Sequence, residues 1–269
     1  MKTAFVLSGG GAKGAFQVGA MLRMHELGIR PDVIYGTSVG ALNAACYAYQ
    51  GIEGLHREWA GVRKKSDVLS RNWLSVFWRS GFYSMKPLLK HLEDVVVGDP
   101  ICEAKVCKVS LKTGEIKIVS NLHSNRSEFI MSTLGSSSIP FVMESVDGEW
   151  VDGGVRRQTP LKEAIVVDGC TKIYALICNP IVQNPEQYWE SSFPYPLSHG
   201  FRALDLMEHE IFLHDLHRAV EYNNDPTKIH VDLTMCSPDR QMIDTLEFDP
   251  VKIKTTLDHG YEIAKRVLG

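Results

Sequence analysis

The stretch VIYGTSVGALNAACY, residues 33–47, changes character in its middle. Its first three residues are apolar, with high strand propensity, and predict a short buried strand, whereas the run from Val39 to Tyr47 predicts a helix. Ser38 therefore lies on a sharp turn between a strand and a helix, with Gly36 and Gly40 on either side of it. Such a turn strains the serine backbone, and the flanking glycines leave room for it. The pattern is typical of a serine nucleophile.

The position of Ser38 suits acyl-transfer chemistry. A serine hydroxyl is a poor nucleophile unless its geometry is fixed and a base accepts its proton. At a helix N-terminus, unpaired N–H groups and the helix dipole favour the negative charge that develops during attack. An isolated Gly-x-Ser-x-Gly match is more often an ordinary turn, but the strand before it and the helix after it favour the catalytic interpretation.

A second glycine-rich segment, SGGGAKG at residues 8–14, follows the apolar strand at residues 4–7. Its glycines fit the dinucleotide-binding pattern Gly-x-Gly-x-x-Gly, which also requires an acidic residue at the end of the second strand. That strand ends in YGTS, residues 35–38, which contains no acidic residue, so the dinucleotide-binding pattern is incomplete. A P-loop would require Gly-Lys-Ser/Thr, whereas Lys13 is followed by Gly14.

The remaining functional interpretation of this segment is an oxyanion hole. Successive glycine N–H groups can point at the oxygen of a tetrahedral intermediate, and losing one such donor costs about 2.7–4 kcal/mol of transition-state stabilisation. We expect Gly10 and Gly11 to have backbone conformations or clearances that a Cβ would not allow. The alternative is a tight strand-to-helix turn without a ligand, but three consecutive glycines exceed what such a turn needs.

The sequence DGG at residues 152–154 is first of all a turn, and taken alone Asp152 has the ordinary interpretation of a solvated turn residue. What makes Asp152 a candidate is the need for a base that can serve Ser38. Apolar residues on both sides of the turn, Val151 and Val155 among them, predict that it is anchored.

Together these motifs resemble the patatin-like phospholipase family of the bacterial type. The residues that carry the resemblance are 9–14, 36–40 and 152–154. The run SSSIPF, residues 136–141, is similar to the small-residue segment of that family that ends in Ile-Pro. By motif, the resemblance spans about residues 1–165, and the combined pattern is specific.

The resemblance implies a Ser–Asp dyad that cleaves lipid acyl esters through an acyl-enzyme, without a metal or a cofactor. It assigns Ser38 as the nucleophile and Asp152 as the base. The oxyanion-hole glycines are then Gly9, Gly10, Gly11 and Gly14. The supporting glycines are Gly36, Gly40, Gly153 and Gly154. One departure is Gln158, which stands where the family has Asn; we expect altered hydrogen bonding in that turn rather than lost catalysis.

The alternation of strands and helices predicts an α/β fold: a three-layer domain whose central, mostly parallel sheet is covered by helices on both faces. One domain is expected over residues 1–269. The predicted helices cover residues 15–27, 84–97 and 202–222, with a last helix that starts at Pro250 after an Asp249 cap. Predicted strands cover residues 173–178 and 230–235, together with a hairpin formed by residues 106–111 and 115–119.

Composition narrows the class of protein. The net charge of −3 and the pI of about 6.4 argue against nucleic-acid binding through a basic surface. The six cysteines are scattered without a CxxC pair, which predicts reduced core thiols in a cytoplasmic protein. The apolar run after Lys2 is too short for a signal peptide, and no segment approaches about 18 uninterrupted apolar residues, so no membrane span is expected.

Two aromatic segments are candidates for a lipid-facing rim or lid. They are residues 73–83 and 188–196, rich in Trp, Tyr and Phe. A core-facing helix is the alternative for the first segment, and the second reads as a surface loop at the mouth of a substrate cleft. With a lipid or acyl ester as substrate, peripheral membrane contact is therefore expected, and the oligomeric state is left open.

Other interpretations of the chain remain. An acyltransferase or thioesterase could use the same dyad, and a nucleotide-binding module could use the glycine loop. A His relay is a further alternative, since several of the ten histidines follow Asp152 in the chain. The early position of Ser38, after the second strand, and the upstream glycine loop count against that relay.

Overall fold

A computed structural model describes residues 2–71, 81–182 and 197–269. The strands are β1 (Thr3–Leu7), β2 (Val33–Thr37), β3 (Ser70–Arg71), β4 (Gly81–Ser84), β5 (Glu103–Ser110), β6 (Ile116–Ser120), β7 (Phe141–Met143), β8 (Trp150–Asp152), β9 (Lys172–Leu176) and β10 (Asp232–Cys236). Seven of them form the main sheet, in the order β10-β9-β1-β2-β5-β6, with β8 also paired to β5. Strands β3, β4 and β7 form a smaller sheet.

Helices cover both faces of the main sheet. They are α1 (Ala15–Glu26), α2 (Val39–Gly61), α3 (Lys86–Val95), α4 (Arg126–Ser136), α5 (Leu197–Asn224) and α6 (Pro250–Leu268). Phe5 and Leu7 of β1 belong to a core cluster with residues of α1, α2, α3, α4 and α6, whereas Ala4 and Val6 belong to a second cluster with residues of α5 and of the short π-helical turn Glu163–Val167. This alternation along β1 confirms the predicted three-layer α/β architecture.

The central strands are parallel, as predicted. β10, β9, β1, β2 and β5 pair in parallel, and β6 and β8 are antiparallel to β5. β1 and β2 are buried almost throughout, which is the expected composition of strands covered on both faces. The carboxyl ends of the parallel strands therefore lie at one edge of the sheet, where Ser38 and the glycine loop follow β2 and β1.

Helix boundaries largely agree with the sequence signals. Asp249 caps α6, since its Oδ1 accepts hydrogen bonds from the backbone N–H of Val251 at 3.0 Å and of Lys252 at 2.9 Å. Helix α2 is longer than predicted and runs on to Gly61, through a kink at Gly51 with φ +66°. The helix continues beyond the kink because its later apolar residues are buried in the core.

Strand β8 places the candidate base. β2 pairs with β5 as far as Thr37 opposite Cys107, and the next residue of β5, Lys108, pairs with Asp152 of β8. The two strands therefore occupy the same edge of β5 and meet end to end. This three-residue strand was not predicted, and it brings Asp152 to the end of β2.

Most of the two aromatic segments lies outside the described residues, including all of residues 188–196; the described Tyr83 is buried. Within the described ranges, helices long and apolar enough to cross a bilayer are absent. The expectation of one domain over residues 1–269 stays a prediction.

Candidate active site

Ser38 has the strained backbone expected of a nucleophile turn. Its φ of +56° and ψ of −128° are unusual for a residue with a side chain. A Cβ on Gly36 would lie 2.1 Å from the carbonyl oxygen of Gly40, and a Cβ on Gly40 would lie 2.5 Å from the carbonyl oxygen of Leu7. Both glycines are therefore needed to bring the start of α2 against the ends of β1 and β2.

A run of three serines at the end of α4 supports both candidate residues. The backbone N–H of Ser38 donates to Ser136 Oγ at 3.1 Å, and Ser137 Oγ donates to the carbonyl oxygen of Ser38 at 3.2 Å. The backbone N–H of Asp152 donates to the carbonyl oxygen of Ser138 at 2.9 Å. In the sequence, this run is recognisable only by its resemblance to the family, because its hydrogen bonds to Ser38 and Asp152 depend on the fold.

Asp152 is buried at the end of β8, with 2% of its surface exposed. Its Oδ1 accepts a hydrogen bond from the backbone N–H of Gly154 at 2.7 Å, and the Ser38 side chain lies close enough to stabilise its carboxylate. A Cβ on Gly153 would lie 2.4 Å from the carbonyl oxygen of Cys107, so glycine permits the close approach of this turn to β5. The structure thus brings the predicted nucleophile and base together.

Burial decides the electrostatics of Asp152. Loss of hydration raises the pKa of the Asp152 carboxyl well above its usual range, and the Ser38 side chain and the N–H of Gly154 offset only part of this rise. A carboxylate with a raised pKa is a stronger base than an exposed one. It is therefore better suited to accept a proton from a hydroxyl.

The glycine loop has the backbone that the sequence predicts. Gly10 has φ +154°, and a Cβ there would lie 2.4 Å from Cys178 Cβ. Gly11 has φ +56°, and a Cβ there would lie 2.2 Å from the carbonyl oxygen of Thr245. The N–H of Gly9 already donates to the carbonyl oxygen of Gln158 at 3.2 Å. Gly10 and Gly11 are thus the better candidates for oxyanion donors.

Gly14 has a packing role at the end of the short 3-10 turn Gly11–Gly14. A Cβ there would lie 2.4 Å from Val39 Cγ2 and 3.1 Å from the indole of Trp59. Gly14 therefore has a different role from Gly10 and Gly11: it allows α2 to pack closely, whereas Gly10 and Gly11 determine the conformation of the loop.

Gln158 bridges the glycine loop and the aspartate turn. Its buried side chain lies so close to Gly9 and Gly154 that a Cβ on either would come within 2.6 Å of its Oε1. Its Nε2 donates to Glu208 Oε2 of α5 at 3.4 Å. Burial, together with the charges of Asp152 and Asp205, raises the pKa of Glu208. The expectation of altered bonding at Gln158 rests on comparison with Asn and stays a prediction.

An apolar cavity of about 280 Å³ lies beside Ser38. Ser38 and Gly11 both line it, with mostly aliphatic and aromatic side chains from α2, α3 and the segment before α6. Ligand cavities commonly have volumes of about 300–1,000 Å³ and a mainly apolar lining with few polar groups. The cavity is therefore suited to a hydrocarbon chain whose polar end reaches Ser38.

One histidine lines the cavity and another is buried on α5. His91 lines the cavity, with its Nε2 3.5 Å from Glu58 Oε2. His209, on α5, is buried, and that burial lowers its pKa. The side chain that stabilises the carboxylate of Asp152, and so lowers its pKa, is that of Ser38. Within the described part of the chain, no three His, Cys, Asp or Glu side chains form a group that could hold a metal.

Comparison with known proteins identifies the family. Residues 5–165 match the sequence profile of the family described as Patatin-like phospholipase, which covers more than half of the chain. The lysophospholipase nte1 of Aspergillus terreus is 56% identical over 43 residues, which are 16% of this chain and 3% of that protein. The uncharacterized protein YqhO of Bacillus subtilis is 26% identical over 193 residues, 58% of this chain and 64% of that protein.

The chain spans less than two thirds of the length of both relatives. Among solved structures, VipD from Legionella pneumophila aligns with a TM-score of 0.52 and 13% identity, over 99% of this chain and 66% of that one. At this identity the likeness concerns the fold, and it agrees with a mostly parallel sheet between helices.

Proposed function

The chain belongs to the patatin-like phospholipase family, and we propose that it is a serine acyl hydrolase that cleaves lipid acyl esters with Ser38 and Asp152. The observation that carries the proposal is that β2 and β8 meet on one edge of β5, which brings the side chains of Ser38 and Asp152 close together. The strained backbone of Ser38 and the apolar cavity beside it support the same conclusion.

The proposed reaction has two halves. Ser38 Oγ attacks the ester carbonyl carbon while Asp152 takes the hydroxyl proton, and the N–H groups of Gly10 and Gly11 stabilise the oxyanion. The tetrahedral intermediate then expels the alcohol, which receives the proton from Asp152, and an acyl-enzyme remains on Ser38. In the second half, water attacks the acyl-enzyme and gives a proton to Asp152. That proton returns to Ser38 Oγ as the fatty acid leaves.

The substrate class follows from the cavity and the relatives. An apolar cavity of about 280 Å³ favours an acyl chain over a polar group. A relative that shares a short, highly similar segment is named a lysophospholipase. We therefore place the substrate among phospholipid and lysophospholipid acyl esters, with simple esters as surrogates.

The test is covalent labelling. A fluorophosphonate should form a single adduct on Ser38, located by peptide mass spectrometry, and should abolish p-nitrophenyl ester hydrolysis in parallel. An adduct on another residue would contradict the proposal. An acyltransferase or thioesterase that uses the same residues would be revealed by product formation that depends on an added alcohol or thiol acceptor.

Gly11→Ala is expected to reduce kcat about 10-fold to 1,000-fold while KM changes little, because an oxyanion donor acts mainly in the transition state. The added Cβ would collide with the backbone carbonyl of Thr245, and the positive φ of this position is unfavourable for alanine, so the loop must shift. Gly28→Ala is the matched control, since Gly28 also has a positive φ but open space around it. A Gly11 variant that only raises KM would contradict the oxyanion role.

Phe141 is a described aromatic residue suited to a lipid surface. It is 69% exposed and has φ +67°, a costly conformation for a bulky residue. The positive φ interrupts the alternation of β7, so that Phe141 faces solvent while Met143 lines the cavity. We propose that this strain presents an aromatic ring to the lipid surface from which the substrate enters.

Phe141→Asn is therefore expected to weaken binding to neutral phosphatidylcholine vesicles about tenfold, since burial of apolar area contributes about 25 cal/mol per Å². Asn tolerates a positive φ, so the Tm should not fall. Val167→Asn, which changes an exposed apolar residue on the π-helical turn, is the control. Equal vesicle binding by Phe141→Asn and the wild type would remove Phe141 from the proposed contact.

A further inference from the structure

Two buried side-chain amides link α1 and α2 behind the candidate site. Gln17 of α1 and Asn43 of α2 are at most 1% exposed. Asn43 Nδ2 donates to Gln17 Oε1 at 2.8 Å, and the indole N–H of Trp59 donates to Asn43 Oδ1 at 2.8 Å. Polar residues of this kind are rarely buried between helices unless their hydrogen bonds are satisfied.

Both amides are fully satisfied. Gln17 Nε2 donates to the carbonyl oxygens of Ser8 at 2.8 Å and Leu176 at 3.1 Å, and Asn43 Nδ2 also donates to the carbonyl oxygen of Gly14 at 3.1 Å. Each amide thus uses two donor hydrogens and its acceptor oxygen. A buried network with every member satisfied holds one geometry, because any displacement leaves a polar group unpaired.

The network ends at the groups that the proposed reaction needs. Ser8 directly precedes the glycine loop, and Leu176 is the last residue of β9. Asn43 lies on the helix that begins after Ser38, and Asn43 and Trp59 line the same cavity as Ser38. The amides therefore fix the loop that would hold the oxyanion relative to the helix that carries the nucleophile.

We propose that Gln17 and Asn43 are positioning residues of the reaction, which hold the glycine loop at the correct distance from Ser38. This inference rests on the proposed function. Neither side chain touches the reacting atoms; both act through the backbone that they bind. A displacement of about 1 Å between catalytic groups can lower a rate about 100-fold, so this fixation has a measurable kinetic consequence.

The test replaces Gln17 with a side chain of similar length that forms no such bonds. Gln17→Met is expected to lower kcat for a p-nitrophenyl ester about 10-fold to 100-fold, with KM within about twofold. Amide hydrogen exchange in the peptide that spans residues 8–14 should become faster, because the carbonyl oxygen of Ser8 loses the hydrogen bond from Gln17 and keeps only the weak one from the Cys178 thiol. The exchange measurement requires no turnover.

Tyr35→Phe is the matched control. It removes a partly buried hydrogen bond, from the Tyr35 hydroxyl to Asp168 Oδ2 at 2.7 Å, that lies outside this network. The control should lower the Tm while kcat and the exchange of residues 8–14 stay at wild-type values. An equal loss of kcat in the two variants, or an unchanged kcat in Gln17→Met, would overturn the inference.

Trp59→Phe decides the question if Gln17→Met does not fold, because it removes the outermost hydrogen bond of the network and leaves the bond between Gln17 and Asn43 in place. We expect a kcat at least about threefold lower and faster exchange in residues 8–14; wild-type values for both would overturn the inference. An inactive wild-type protein would instead contradict the proposed function, and the exchange data would still report on the network.

Discussion

Ser38→Ala is expected to lower the turnover of p-nitrophenyl esters by at least about 1,000-fold, equivalent to about 4 kcal/mol, and to abolish fluorophosphonate labelling. The substitution removes the only atom that can form the proposed acyl-enzyme, and it leaves the surrounding backbone hydrogen bonds to Ser136 and Ser137 in place. The Tm should therefore stay close to that of the wild type. Labelling retained by Ser38→Ala would show that another residue is the nucleophile.

Two further variants sharpen this experiment. Ser38→Gly should be equally inactive but at least as stable as Ser38→Ala, because glycine adopts a positive φ without the strain that a Cβ imposes. Ser132→Ala is the matched control, since Ser132 is a buried serine of α4 whose Oγ has no hydrogen-bond partner among the described residues. Full activity in that variant would show that loss of a buried serine hydroxyl is not itself inactivating.

Asp152→Asn is expected to lose about 100-fold to 10,000-fold in kcat, the contribution typical of a positioned general base. The amide keeps the shape and an acceptor for the N–H of Gly154, but it cannot take the proton of Ser38. His91→Ala, which changes the histidine that lines the same cavity, should keep activity within about tenfold, or about 1.4 kcal/mol. A His91 variant as inactive as Asp152→Asn would replace the dyad with a histidine-dependent mechanism.

The raised pKa of Asp152 gives this prediction a pH dependence. Activity requires the carboxylate, so it should fall as the pH drops through a pKa that lies above the usual carboxyl range. The stability of the fold is expected to change with pH in the opposite direction. A raised pKa in the folded state means that the buried carboxyl stabilises the fold below its unfolded pKa and loses that contribution as the pH rises through its folded pKa.

Asp152→Asn mimics the neutral acid, so it should melt no lower than the wild type at neutral pH and the difference should vanish in acid. Thermal melts of both proteins, recorded at intervals of about one pH unit between about pH 4 and pH 9, would measure this difference in Tm. A large loss of stability at neutral pH would contradict the direction of the pKa shift.

Local signals were sufficient to predict the parallel sheet, the turn at Ser38 and the conformation of Gly10 and Gly11. In each case the neighbours in sequence determine the backbone: apolar runs form the buried strands, and glycines occupy positive φ values. The N-cap of α6 was predictable for the same reason, because Asp249 bonds to residues that follow it directly.

Long-range contacts were not predictable in this way. β8 has only three residues, and its pairing with β5 has no sequence period that would reveal it. The support of Ser38 by Ser136 and Ser137 joins residues that only the fold brings together. Gln17 is polar, and a helical pattern places polar residues on the solvent side, whereas the structure buries it completely.

The meeting of β2 and β8 on one edge of β5 has a consequence for the order in which activity appears during folding. Ser38 and Asp152 each take their position from β5, at neighbouring residues Cys107 and Lys108. A partly folded chain in which β8 has not yet paired therefore holds Ser38 without the carboxylate that we propose as its base. On the proposed mechanism, hydrolysis begins only when a strand from the middle of the chain completes the sheet.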